Sequence, residues 1–163
     1  MTAGAQRDSR AGKSGSAASR QDLFSTAAIT AFQLNGRFLA VAEELARPAG
    51  LTAAWWQVLG AVLREPLSVS EIGRAMGISR QAVQRIADLL VGKGLAEYRP
   101  NPAHRRAKLL VATDAGLAAV HDISPRHAAM AERLTAELGD ERFAHVVEAL
   151  TTLRAALDAI ESD

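Results

Sequence analysis

The sequence contains no cysteine, which excludes disulfides, thiolate metal sites and cysteine redox sensing. Aromatic residues are scarce, with four Phe, two Trp and one Tyr in 163 residues, while alanine is abundant, a balance that favours helix over sheet. No apolar run reaches ~18 residues, so no membrane span is expected. The N-terminal residues lack the apolar stretch of a secretory signal, and the expectation is a cytoplasmic protein. A nucleotide loop is also missing. Gly12, Lys13 and Ser14 look like the end of one, but the required glycine five residues earlier is Arg7, and no strand precedes it. Four histidines occur, His104, His121, His127 and His145. They do not converge with further ligands at metal-site spacing, and His145 with Glu148 on one helix is the weakest of metal hints. No serine elbow or paired acid is present either. Neither an enzyme nor a cofactor is implied.

What is present is charge that has been sorted along the chain. The net charge is only +1. Residues 64–113 nevertheless hold nine Lys/Arg against four Asp/Glu, whereas residues 114–163 hold four against ten. Segregation of this kind fits a polyanionic partner for the basic part and a solvated face for the acidic part.

The chain is long enough for one domain, or one domain with an added dimerising layer. Residues 1–20, rich in Gly, Ser, Ala and Arg, cannot bury enough surface to offset their ordering entropy and read as a disordered basic tail. Residues 23–46 read as a long helix with a broad apolar surface, stopped by Arg47, Pro48 and Gly50. Thr52 caps a second helix running to about Arg64, ended by Glu65 and Pro66. Ser68 followed three residues later by Glu71 has capping-box spacing and opens a short helix to Met76, in which Ile72, Ala75 and Met76 are expected to face inward. Gly77 suits the left-handed residue that ends it. Ile78 follows in the turn, and Ser79 caps the next helix, residues 80–93. There Val83, Ile86, Ala87 and Leu90 form a core stripe at three- and four-residue spacing. Two short strands, residues 96–99 and 107–111, flank an exposed turn containing Pro100, Asn101, Pro102, Arg105 and Arg106. Thr113 caps a helix over residues 114–138, and Gly139 separates it from a last amphipathic helix over residues 140–160.

The stretch from Leu67 to Thr113 carries the chemistry. A helix laid in the major groove offers its N-terminal residues to base edges. Arginine can bridge two guanine acceptors, and glutamine can pair with adenine. Arg80, Gln81, Gln84 and Arg85 occupy the first two turns of such a helix. Free amides at the capped starts, Ser68 and Ser79, suit phosphate oxygens. The hairpin tip, His104, Arg105 and Arg106, suits a narrow groove of strongly negative potential, and Lys93 and Lys108 lie within reach of the backbone.

With these pieces on one chain, residues 23–160 resemble the MarR family of winged-helix transcriptional regulators. The matching features are Leu67 to Gly73, Val83 with Arg85 to Leu90, Gly94-Leu95, the Asn101-Pro102 turn, Arg105-Arg106, and Thr113 with Gly116. Family members usually show Asp-Pro-x-Asp-Arg-Arg at the wing; here His104 stands at the second aspartate, which in the family helps fix a wing arginine. The resemblance implies a mainly α fold: a winged helix-turn-helix over residues 51–113, joined to a dimerisation helix at 21–50 and to dimerisation helices at 114–163. It implies a homodimer joined through Leu23, Phe24, Phe143, Val147, Leu150, Leu153, Leu157 and Ile160. The dimer would bind a pseudo-palindromic operator in double-stranded DNA and release it when a small aromatic or phenolic effector binds. Phe32, Phe38, Trp55, Trp56, His127 and Met130 are candidates to line the effector site, although each is also an ordinary core residue. Two alternatives stay open at this point: a winged helix that coats DNA or contacts protein without an effector, and a small helical enzyme suggested only by scattered histidines and acids.

Overall fold

The computed structural model describes residues 14–104 and 106–161. Seven helices and a small sheet follow in the order α1 (Ser14–Ala46), a 3-10 turn (Arg47–Ala49), α2 (Ala53–Ala61), β1 (Leu67–Ser68), α3 (Val69–Met76), α4 (Arg80–Gly92), β2 (Ala96–Arg99), β3 (Leu109–Ala112), α5 (Asp114–His121), α6 (Ser124–Leu138) and α7 (Asp140–Glu161).

Local signals account for most boundaries. Thr52 accepts from the Trp55 amide at 3.2 Å and starts α2. The Ser68–Glu71 box is complete in both directions. Gly77 sits at φ 63°, where a Cβ would be strained, and closes α3. Ser79 then accepts from the Ala82 amide at 3.2 Å and opens α4. The sheet is antiparallel throughout with β3 in the middle: Leu67 pairs with Leu110, and Tyr98 pairs with the same residue from the other side.

Several expectations need correction. α1 begins at Ser14, so residues 14–20 are helical and not a disordered tail; Ala17, Ala18 and Arg20 favour helix here and no proline interrupts it. The rest of the expected tail, residues 1–13, lies outside the described residues. α2 stops at Ala61, because the Val62 amide turns back onto Leu59 and Gly60. In α3 the buried residues are Val69, Ile72 and Gly73, while Met76 is 38% exposed. The two-residue strand β1 carries too little pattern to be read locally. β3 starts at Leu109, because the Ala107 amide is bonded to the His104 carbonyl and keeps Ala107 in the turn. Residues 114–138 form two helices, since Pro125 near the start of α6 has no amide hydrogen to continue the ladder. At that break Ile123 is fully buried, pinning both helices to the core.

The core lies between α2, α4 and the sheet. Val58, Leu59, Ile72, Val83, Leu90, Leu110 and Ile123 are all fully buried there. Gly116 lets α5 join them: a Cβ on it would collide with the Leu95 carbonyl. Thr113, the α5 cap, donates to the Gly94 carbonyl at 2.6 Å and ties the same junction. The outer helices are different. Leu23, Phe24, Ile29 and Phe32 on α1 are exposed, as are Val147, Leu150, Leu153, Leu157 and Ile160 on α7. Among the described side chains of α7, only Phe143 is partly buried.

Candidate nucleic-acid interface

α4 turns its core stripe inward and a polar row outward. Arg80, Gln81, Gln84, Arg85, Asp88 and Leu89 border one open groove along its surface. A spacing of three and four residues puts them on one face, and Arg80, Gln81 and Arg85 are exposed. Ser79, at the exposed helix start, spends its hydroxyl on the cap.

Behind this row, a 350 Å³ cleft separates α4 from the wing. It is bordered by Ser68, Arg80, Gln84, Asp88, Tyr98, Arg106 and Lys108. Three of these form a closed triangle. Gln84 Nε2 donates to Asp88 Oδ1 at 2.9 Å and to the Tyr98 hydroxyl at 2.8 Å, and that hydroxyl donates to the same Asp88 oxygen at 2.8 Å. Burial and the Asp88 carboxylate together push the Tyr98 phenol up to about 12, because both disfavour a phenolate. Lys108 lies 5.8 Å from the centre of the Tyr98 ring. Tyr98 was not among the residues singled out from sequence. Its alternation in β2 marks a strand face, but nothing local points to partners 10 and 14 residues away.

The wing tip is organised by Asn101, whose Oδ1 accepts from the Ala103 amide at 2.9 Å and the His104 amide at 3.3 Å. His104 and Arg106 are exposed there. Arg105, which the sequence places beside them, lies outside the described residues. Ser68 does not belong to the outward row. It is 7% exposed, and its hydroxyl donates to Glu71 at 2.7 Å. The bonds from Ser68 hold the Glu71 carboxyl below the usual range, with Arg74 and His104 adding to the effect. Lys93 also departs from simple exposure: its ammonium lies 5.2 Å over the Trp55 ring, joining α2 to the end of α4.

A second cavity, 360 Å³, opens between α1, α2, α6 and α7. Phe38, Trp56, His127, Met130, Leu134 and Phe143 are among its walls. Trp56 and His127 meet edge to face, with ring centres 5.7 Å apart. Four of the six residues expected around an effector are therefore brought together. Phe32 is not among them and is 76% exposed. Trp55 faces Lys93 instead, because neighbours on a helix point ~100° apart. Phe143, expected at a dimer contact, lies in this wall.

This geometry defines a winged helix-turn-helix protein with an exposed polar face on α4. Comparison with known proteins agrees. A sequence profile of the MarR family matches residues 49–107. An uncharacterized protein of Mycobacterium tuberculosis is 41% identical over 103 residues, 63% of this chain and 72% of that protein. The crystal structure of a mutant MarR from E. coli complexed with operator DNA superposes with a TM-score of 0.69 at 23% identity, covering 77% of this chain and 91% of that one. The structure of CouR from Rhodococcus jostii bound to p-coumaroyl-CoA gives 0.66 at 22% identity, covering 74% and 86%. Residues 49–107 thus carry the sequence pattern of the MarR family, within a fold shared with MarR-family transcription regulators. No helix among the described residues is long and apolar enough to cross a membrane.

Proposed function

We propose that this protein is a sequence-specific regulator that binds double-stranded DNA as a homodimer and acts as a repressor released by a small ligand. The carrying observation is the outward row on α4, Arg80, Gln81, Gln84 and Arg85, standing free of the core beside a basic wing. Arginine and glutamine in the first two turns are the side chains that reach base edges in a major groove. Arg105, Arg106 and Lys108 of the wing, and Lys93 at the helix end, supply sequence-independent contacts with phosphate or the minor groove. His104 lies exposed at the wing tip, as does Arg106.

Under this reading residues 51–113 are the DNA-binding unit, and the helices before and after it are a dimerisation layer. The exposed apolar residues of α1 and α7, Leu23, Phe24, Val147, Leu150, Leu153, Leu157 and Ile160, support it, since exposed apolar rows of this kind mark an interface. A second copy of the chain covers them, and two-fold symmetry sets the two α4 helices on a pseudo-palindromic operator. The 360 Å³ cavity is the size of a small-ligand site, walled by aromatic and aliphatic groups that suit an aromatic or phenolic effector. That CouR binds p-coumaroyl-CoA is in line with this. Footprinting on the DNA flanking the chain's own gene tests the proposal. Two protected half-sites related by a dyad support it; uniform coverage makes the protein a DNA-coating module instead.

A further inference from the structure

Gln84 carries a constraint that its residue type alone does not reveal. A glutamine amide has two hydrogens to donate and one oxygen that accepts. Both hydrogens of Gln84 are already engaged, one by Asp88 at 2.9 Å and one by Tyr98 at 2.8 Å. Asp88 decides the orientation. An ionised carboxylate only accepts, so turning the amide over would set its oxygen against Asp88. It would also turn the Tyr98 hydroxyl, which now donates to Asp88 at 2.8 Å, toward Gln84. The closed triangle allows one arrangement, with the Gln84 oxygen left as the free group.

The usual glutamine–adenine pair needs one amide hydrogen and the amide oxygen together. Here the hydrogen is not free. An oxygen alone can accept only from an exocyclic amine. In the major groove adenine and cytosine present one, whereas guanine and thymine present acceptors at the corresponding edge. The Asp88 carboxylate beside it is an acceptor too and repels the same two bases.

Resting on the DNA-binding reading above, we infer that Gln84 reads its base as an acceptor only, selecting adenine or cytosine over guanine or thymine, and that Asp88 and Tyr98 are positioning residues that impose this choice. Tyr98 belongs to the wing strand and Gln84 to α4, so the wing takes part in base selection without touching the base.

The test is selection of bound DNA from a random pool with the full chain and with Gln84→Ala, Tyr98→Phe and Asp88→Ala. Gln84→Ala marks the position, in each half-site, whose preference depends on this side chain. The unaltered protein is expected to hold adenine or cytosine there. Tyr98→Phe and Asp88→Ala are expected to lower that preference by roughly fivefold, the scale of one hydrogen bond, or to turn it toward adenine alone as a freed hydrogen restores the two-bond pair. Other positions in the same half-site serve as the internal reference for folding and affinity. Guanine or thymine at the marked position, or a preference untouched by both Tyr98→Phe and Asp88→Ala, overturns the inference while leaving the DNA-binding proposal standing. No enriched sequence for the unaltered protein overturns both.

Discussion

Tyr98 and Asp88, ten residues apart in sequence, share a 2.8 Å hydrogen bond that fastens the first wing strand to α4. Tyr98 is the only tyrosine in the chain, so its phenolate absorbance can be followed without interference. With the phenol raised from 10.0 to about 12, first by burial and then by Asp88, the stability linked to keeping it neutral is complete below pH 10 and is lost as the pH rises through about 12. Asp88→Ala removes an acceptor and a negative charge, and the absorbance midpoint should move down toward the ordinary tyrosine value. A midpoint that stays put would mean burial alone sets it.

At the other end of the pH scale, the capping box at α3 should weaken. Glu71 has its carboxyl held low by Ser68, so its contribution is present above the ordinary carboxylate range and lost as the pH falls through the lowered folded value. Ser68→Ala should cost about 1 kcal/mol at neutral pH and flatten the acid dependence of the melting temperature. Parallel acid profiles for the two proteins would remove Ser68 as the cause.

Gly116 tests the junction of wing and α5. Its missing Cβ is the space in which the Leu95 carbonyl sits, and Gly116→Ala should destabilise the fold by about 1–3 kcal/mol in denaturant unfolding. Adding the same methyl at Gly36, where nothing lies within 4 Å, should cost nothing comparable and serves as the control.

Leu150 lies on the exposed face of α7 at 40% exposure. Leu150→Asp should convert a dimeric mass in light scattering to a monomeric one, since an unpaired charge in an apolar interface is strongly unfavourable. A persisting dimer would place the interface elsewhere.

The parts legible in the sequence were those written locally. Ser68 with Glu71, Gly77, Ser79 and the Val83–Leu90 stripe fix the helix-turn-helix through interactions spanning no more than a few residues. Asn101 and the two prolines mark the wing tip in the same way. Other features depend on partners distant in sequence. Glu43 accepts from the Ala53 amide at 2.8 Å across ten residues, and Tyr98 reaches back to Gln84 and Asp88; neither has a local signature. Trp55 and Trp56 look equivalent as sequence, yet one meets Lys93 and the other His127. The break at Ile123 was hidden because proline is tolerated in the first turn of a helix, so Pro125 fits the start of a new helix as readily as a kink in a long one.

Arg85 is the most direct probe of the central claim, that the outward face of α4 reads DNA. It is exposed and outside the core stripe, so Arg85→Ala should leave thermal stability within about 0.5 kcal/mol. Its affinity for a site selected from a random pool by the unaltered protein should fall by about 1–3 kcal/mol, with a much smaller loss on unrelated DNA. Equal affinity of the two proteins for the selected site, measured in one titration at fixed salt, would contradict the account.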